Sequence, residues 1–550
     1  MQKYSELLRT ILQKRGIKDQ ALAEIFLNPD YERDLHDPFK MKDMEKACVK
    51  LFEVIENKEK TIIYADYDCD GIPGAVVLED LFKKIGYENY KVYIPGRNSE
   101  GYGLNSSAIE QFVEKKVKLL ITIDLGITAV SEIAQAEVQG IDVIVTDHHL
   151  PHTTLPRAYA ILNPKVDDYP EKTLCGAGVV FKLVQGFVKK YGEFYKINTG
   201  WEKWLLDMVG IATLSDLVPL LGENRALSYF GMKVLKKSPR VGLQKLLSKM
   251  KIDQKYLNED DVGFMIAPRL NAASRMDDPM RAYEILSTED EVNAGILADH
   301  LSKINDDRKT MVASIMREVN KKFEKREIRE VIVVGNPKWR VGVLGLVASK
   351  IVDQYKRPVF VWGKDENDLI KGSCRSDGSV SLVELMTEAN ESFLEFGGHE
   401  FAGGFTVDNE KIHSLEDVLS LSFVKVARDK IEEKLIYDVE SDLSIVNMKS
   451  WRELEKLAPF GFDNPKPIFL FKNINIENIK KFGKNGSLEH LEITFSNIGK
   501  NKIKAISFFS DNDSFKKTIN EGDKADLLAT FDLSRFRGRE ELRLRIIDII

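Results

Sequence analysis

TIIYAD (61–66), LLITID (119–124) and DVIVTD (142–147) are short runs of β-branched and apolar residues, and each closes on an aspartate. Such runs read as buried strands. A fourth, KVYIPG (91–96), lies between the first two, while GAVVLEDLFKKIG (74–86) and AVSEIAQAEVQG (129–140) carry apolar residues at helical spacing. Strand–helix alternation of this kind predicts a parallel, doubly wound α/β sheet. Ligands of open parallel sheets gather beyond the carboxyl ends of the strands. Asp66 (with Asp68 and Asp70 just beyond), Asp124, and Asp147 (with His148 and His149) are therefore expected to converge on one edge. Asp216, in GIATLSDLVPL (210–220), follows an apolar run and could join them.

Carboxylates packed without compensation repel, and their pKa values rise. Divalent cations remove that repulsion. Oxygen ligands with one or two imidazoles suit Mn²⁺ or Mg²⁺ better than zinc, and no thiolate is placed to help. Two such ions about 3.5–4 Å apart activate a water and stabilise the leaving oxygen of a phosphoester. One carboxylate must bridge them, and Asp124, on the middle strand, is the natural candidate. A single aspartate after a strand is commonly a helix cap or turn former, and a lone His-His pair is often structural. Coincidence at three strand ends is what points to metal.

Outside this region, 175–325 reads as mainly helical and ends in a long polar helix over 290–326, of the kind that bridges domains. A second α/β unit starts at REVIVVG (329–335) and runs to about 425. From about 426 short strand patterns suggest a small antiparallel barrel, with Phe495, Phe508 and Phe509 in its core. The domain reading is thus a helical segment (1–45), a catalytic domain (46–289), the connecting helix (290–326), a second lobe (327–425) and the barrel (426–550). A chain of 550 residues needs several cores, and 43% hydrophobic with 30% charged residues is ordinary globular composition. No apolar run of about 18 residues would span a membrane, and the amphipathic start is unlike a signal peptide. Four scattered cysteines (Cys48, Cys69, Cys175, Cys374) without CxxC spacing suit reduced thiols and a cytoplasmic location. The net charge of −6 neither indicates nor excludes nucleic acid, which local basic patches bind.

Several stretches carry a resemblance: IIYADYDCDGIPGA (62–75), NSEGYGL (98–104), ITIDLGI (121–127), VTDHHLP (145–151), AILNPK (160–165), SDLVPLLGENR (215–225), APRLNAASRM (267–276), KGSCRSDGSVSL (371–382), FGGHEFAGGF (396–405) and LAPFGFDNPKPIF (457–469). In this order they resemble the DHH phosphoesterase superfamily, and within it the bacterial single-strand-specific exonucleases, from about residue 35 onward. The resemblance implies metal ligation by Asp66, Asp68, Asp124, His148 and Asp216, with His149 at the scissile phosphate. Asp70 and Asp147 would orient those ligands. Arg97, Asn271, Arg275, Ser373, Arg375, Gly397, Gly398 and His399 would hold substrate phosphate, the Ser373–Arg375 segment at a strand terminus. The barrel would be an OB-fold, tracking a single strand with basic and aromatic side chains, for which Arg535, Phe536, Arg537 and Arg539 are the candidates.

The expected activity is 5′→3′ hydrolysis of single-stranded DNA to nucleotide 5′-monophosphates, in repair and recombination. The polarity, and cooperation with a helicase and a single-strand-binding protein, come from the resemblance alone. An RNA-directed or small-substrate phosphodiesterase is one alternative; a non-catalytic scaffold is another, which the intact acid set opposes. Ala65, Cys69, Leu125, Ser274 and Cys374 depart from the usual pattern. Leu125 replaces a frequent Asn in the turn, and an exposed Cys69 would make the site oxidisable.

Overall fold

The computed structural model describes residues 1–97, 99–166, 168–428, 436–482, 490–496, 502–508, 510–512, 514–535 and 540–550. They form two units, one of Met1–Leu35, Pro219–Tyr229 and Glu433–Ile550, the other of His36–Val218 and Phe230–Glu432.

In the second unit, β1 (Thr61–Ala65), β2 (Tyr90–Tyr93), β3 (Leu119–Ile123), β4 (Asp142–Thr146) and β5 (Ala160–Leu162) make an all-parallel sheet of order β2-β1-β3-β4-β5. Every residue of β1 and β3 is buried, as strands covered on both faces require. The chain steps outward from β1 to β2, then returns to β3 on the other side of β1. Winding reverses there, and a crevice opens at the carboxyl ends. The hydrogen-bond ladder continues one residue past each strand. Asp66 N–H donates to Ile123 O at 3.1 Å, Asp124 N–H to Thr146 O at 2.9 Å, and Asp147 N–H to Leu162 O at 3.0 Å. The sheet itself thus fixes the backbones of the three acids.

The same unit holds a second, mixed sheet. Its strands are β6 (Ile332–Gly335), β7 (Val359–Lys364), β8 (Ile370–Arg375), β9 (Glu395–Gly398) and β10 (Ala402–Val407), in the order β6-β7-β8-β10-β9. Only the β6–β7 pair is parallel. The helix Glu291–Phe323 joins the two sheets, but it is more than a polar spacer. Val312, Ile315, Val319 and Phe323 form one core with Val343, Val347 and Ile351 of the second lobe. Each such side chain, fully buried, contributes about 1.5–3 kcal/mol.

In the first unit, β11 (Val439–Ser441), β12 (Phe469–Phe482), β13 (His490–Ser496), β14 (Lys502–Ser507), β15 (Lys524–Ser534) and β16 (Glu541–Ile549) run in the order β11-β12-β13-β14-β16-β15. A β12–β15 pairing closes five of them into a barrel. The barrel is not wholly antiparallel, because β14 meets β16 in parallel. The sequence sets residues 1–45 apart as a helical segment. In the structure Leu8, Ile11, Leu12, Phe26 and Leu27 share the barrel's core with Phe469, Phe471 and Leu544. The helix Glu6–Lys14 is too short to persist without burying its apolar face. Arg225 adds a polar tie, donating to the carbonyls of Phe26 (2.8 Å), Leu457 (3.0 Å) and Ala458 (3.1 Å). Phe495 lies in the core; Phe508, expected beside it, is 39% exposed, and Phe509 falls outside the described residues. Among the described residues no helix is long and apolar enough to cross a membrane.

Candidate active site

Asp66, Asp68 and Asp124 offer carboxylate oxygens that lie within 4.8 Å of one another. The same holds for Asp124, His148 and His149, and for Asp70, His148 and Asp216. His148 Nε2 stands 3.1 Å from Asp124 Oδ1, 3.7 Å from Asp216 Oδ2 and 3.8 Å from Asp70 Oδ2. Asp124 is common to two of the groups. Its backbone is left-handed (φ 62°), a conformation aspartate tolerates better than most residues. Asp216 arrives differently from the others, as the C-cap of the helix Leu206–Ser215.

Two helices begin at this cluster, and two glycines let them come close. A Cβ on Gly71 would sit 2.5 Å from Asp66 O, and one on Gly176 would sit 2.5 Å from Asp124 Cβ. The positive ends of both helix dipoles therefore face the acids. Asp68 Oδ1 caps the first of these helices, accepting from Asp70 N (2.8 Å) and Gly71 N (3.2 Å). Asp70 accepts from Gly176 N (2.6 Å) and Ala177 N (2.8 Å), so both its oxygens anchor the second helix.

The electrostatics follow from burial. Asp124 is held well above the usual carboxylate range by burial and then by the charges of Asp70 and Asp68. Asp66 is raised by burial and by Asp68. Burial with Asp70 and Asp68 pushes Asp216 up to about 9, and burial with Asp68 pushes Asp70 up to about 6. Burial and the neighbouring His149 charge push His148 down to about 3, leaving a neutral imidazole able to ligate. Among the described residues, Asp66 Oδ1 and Asp124 Oδ1 are buried without a hydrogen-bond partner. Acceptor atoms buried in this way need a cation or a donor. The donor set of carboxylates and one neutral imidazole fits hard divalent ions.

Asp147 is occupied by its own loop and by the loop that follows β3. Its Oδ1 accepts from the N–H groups of His148 (2.7 Å) and His149 (3.0 Å) and from His149 Nδ1 (2.8 Å), and its Oδ2 from Ile127 N (2.9 Å). For His149, burial favours the neutral ring, but the bond to Asp147 and that carboxylate's charge outweigh it and raise the pKa. Three neighbours escape the sequence reading although they stand inside its motifs. Tyr102 OH lies 3.4 Å from His149 Nε2. Asn163 Nδ2 donates to His149 O at 3.0 Å, and Lys165 Nζ donates to His148 O.

The basic residues gather beside the acids. The Arg97 guanidinium sits 5.1 Å from the Tyr67 ring centre. Burial pushes Arg275 down to about 10; the charges of Arg97, Arg308 and Arg375 add to this, and Asp68 opposes it. Arg308, on the connecting helix, is a member that sequence reasoning missed. Arg275 also donates to Gly342 O (3.2 Å), joining the two lobes. Asn271 Oδ1 accepts from Cys69 N (2.9 Å), so its carbonyl secures the acid-bearing loop. Ser373 and Arg375 approach the same spot, the first turn of the helix Leu344–Tyr355: a Cβ on Gly345 would lie 3.7 Å from Ser373 Cβ and 3.0 Å from Arg375 Nη2. Gly397 and Gly398 are exposed and end β9, paired with Gly404 and Gly403 of β10, and His399 opens the connecting turn with its N–H bonded to Ala402 O at 2.7 Å. Among the described residues no hydrogen bond or ion pair joins His399 to the carboxylates.

The departures have structural accounts. Leu125 is buried in the core with Val143 and Ile133. Ser274 is buried and donates to Asn271 O. Cys69 is 2% exposed, and burial holds its thiol well above the ordinary range, so the oxidation sensitivity expected of an exposed thiol does not apply. Arg535 pairs with Glu540 at 3.0 Å, while Phe536, Arg537 and Arg539 lie outside the described residues.

Comparisons with known proteins agree with this architecture. The chain matches the DHH family, N-terminal domain, over residues 60–213, the DHHA1 domain over 328–425, and the RecJ OB domain over 437–548. It is 34% identical over 551 residues to the single-stranded-DNA-specific exonuclease RecJ of Bacillus subtilis, covering 98% of this chain and 67% of that one. The Haemophilus influenzae enzyme of the same name is 29% identical, covering 94% of this chain and 92% of that one. The crystal structure of RecJ in complex with Mn²⁺ from Thermus thermophilus matches with a TM-score of 0.82 at 25% identity, over 98% of this chain and 75% of that chain. Sheet, acid cluster, second lobe and barrel thus occur together and in order, and the chain belongs to the RecJ family of DHH phosphoesterases.

Proposed function

We propose that the chain is a Mn²⁺- or Mg²⁺-dependent exonuclease that digests single-stranded DNA from the 5′ end and releases nucleotide 5′-monophosphates. The observation that carries this reading is the pair of buried, unpartnered oxygens on Asp66 and Asp124 beside a cluster of guanidiniums. Asp66, Asp68 and Asp124 would hold one cation and Asp124, His148 and Asp216 the other. When bound, the two ions supply the charge that offsets the carboxylates and activates water for phosphodiester hydrolysis.

The remaining side chains prepare the substrate. Asp147 fixes the His149 ring, whose raised pKa keeps a proton available for an oxygen of the scissile phosphate. Asp70 locks the loop to the Gly176 helix, and Asn271 does the same from another side. Arg97, Arg275, Ser373 and Arg375 hold the terminal phosphate, which places hydrolysis at an end. Gly397, Gly398 and His399 form the facing clamp. The barrel keeps the following nucleotides in register. The same reading puts the protein in the cytoplasm, in DNA repair and recombination, alongside a helicase and a single-strand-binding protein.

Matched DNA and RNA strands, labelled at one end or the other, test the assignment. Mn²⁺ should support release of mononucleotides from the 5′ end of DNA. Release beginning at the 3′ end, activity surviving in chelator, or preference for RNA would overturn it.

A further inference from the structure

AILNPK (160–165) holds none of the proposed ligands or phosphate-binding residues, yet it lies beside them. Its strand, β5, forms one edge of the first sheet and runs parallel to β4, with Leu162 opposite Thr146. Two parallel strands in register leave a sheet side by side. Asn163, the next residue, therefore emerges next to the loop that carries His148 and His149. It is wholly buried, and both ends of its amide are in use. Oδ1 accepts from Lys165 N at 2.9 Å, a bond that folds the chain back after Pro164. Val166 N–H donates to Asn163 O at 3.1 Å and completes the turn. Those two bonds would suffice to end the strand.

Two further donors reach out of the turn. Asn163 Nδ2 donates to His149 O at 3.0 Å, and Lys165 Nζ donates to His148 O. Asp147 Oδ1 already holds the N–H groups of the same two residues. Each backbone N–H and C=O of the His-His pair is thus held by a side chain. Among the described residues neither histidine makes a backbone–backbone bond, so no ladder fixes the pair as it fixes Asp66, Asp124 and Asp147. The His148 ring is steadied separately, by a hydrogen bond with the Leu174 backbone. That bond turns the ring; the loop sets the point from which the ring projects. His148 Nε2 stands 3.1 Å from Asp124 Oδ1 and 3.7 Å from Asp216 Oδ2, so a small shift of its backbone would part it from both. Lys165 brings a charge as well as a donor. Burial lowers its pKa, and the carboxylates of Asp147 and Asp216 oppose that.

We infer that Asn163 and Lys165 are positioning residues for metal binding: by holding the two histidine carbonyls they set His148 within reach of the cation that Asp124 and Asp216 would hold. The inference rests on the ligand set proposed above. Groups that hold a ligand in place without touching the metal are worth about 10–100-fold in metal affinity.

The test uses the full chain and Mn²⁺ alone, without substrate. Electron paramagnetic resonance of the free ion counts what is bound, and its pulsed form reads the nitrogen coupling of a ligating imidazole. Lys165→Met keeps the length of the side chain and drops the donor. Lys165 is only half-buried, so circular dichroism should stay unchanged. One of the two bound ions should be held about tenfold more weakly and the other within about threefold of the parent, and the nitrogen coupling should fall. The sign is decisive, because a counter-charge alone predicts the reverse: removing a cation beside Asp216 would leave the site more negative and tighten Mn²⁺. Asn163→Ala removes its own donor and the turn that aims Lys165, and should weaken the same ion at least as much. Tighter or parent-like binding of both ions in Lys165→Met, or full nitrogen coupling in both variants, would overturn the positioning role alone. A parent without nitrogen coupling would overturn the His148 assignment itself, and the positioning role with it.

Discussion

Asp66, Asp124 and Asp147 leave one sheet at one edge, each with its N–H bonded to the neighbouring strand, whereas the arginines beside them come from a loop (Arg97), two helices (Arg275, Arg308) and a strand of the second lobe (Arg375). The acids are positioned by backbone. The guanidiniums are positioned by side-chain bonds to carbonyls and amides, such as Arg275 to Gly342 O, Arg375 to Cys374 O and Arg308 to Asn305 Oδ1. The difference separates two tasks. Chemistry needs a rigid charge array, which a parallel sheet supplies at its switch point. Holding an end needs donors from both lobes, which their docking supplies.

That contrast can be broken most severely at Asp124. Asp124→Asn should lower kcat by about 10⁴-fold while leaving strand binding in chelator nearly intact. The same variant should melt at a higher temperature than the parent when both are metal-free, because it removes a buried charge from a repelling cluster. Loss of strand binding in parallel with kcat would show that acids and arginines are one device and not two.

Gly176→Ala sharpens the acid side of the comparison. Its methyl would meet Asp124 Cβ at 2.5 Å, and backbone-held acids have little room to yield. A fall in kcat of about 10²-fold with an ordinary circular dichroism spectrum is expected; unchanged kcat would mean that the helix, and not the acid, gives way. Arg375→Ala probes the other side. It should raise KM for a 5′-phosphorylated strand about thirtyfold and leave kcat within about threefold. A 5′-hydroxyl strand should be nearly indifferent, and an equal effect on both strands would remove Arg375 from the terminal clamp.

The smallest effect is on pH dependence. Asp216 and Asp70 rise from 3.8 to about 9 and about 6. A carboxylate raised in the folded state binds protons more tightly there than in the unfolded chain. Its stabilisation is therefore complete below about pH 3.8 and is lost as pH rises through the folded value. In chelator the melting temperature should fall by a few degrees between about pH 5 and about pH 9, and saturating Mn²⁺ should remove most of that fall. A flat profile in chelator would indicate that the cluster is neutralised by something other than metal.

The legibility of the molecule divides along the same line. Strand period and terminal aspartates made the first sheet and its acid edge readable, because a strand dictates where its next residue points. Asp216 was visible only as an acid after an apolar run, since its helix gives no such direction. Arg308 and Gly176 were not singled out: a long polar helix says nothing of what its middle touches, and a glycine does not say whose Cβ it makes room for. Phe508 was placed wrongly because β-rich sequence reads the same for either face when a strand ends. The union of the opening helices with the barrel escaped for a simpler reason. Nothing local encodes a contact between residues more than 400 positions apart, such as Ser5 with Glu453.

That union bears on how the chain is made. Met1–Leu35 leaves the ribosome long before its core partners in Glu433–Ile550. At about 5–20 residues per second, the apolar faces around Leu8, Ile11 and Phe26 wait tens of seconds for the strands that cover them. During that interval those faces stay uncovered. The barrel, for its part, cannot be expressed as a clean C-terminal piece: cut from its opening helices, it would expose the floor on which they sit.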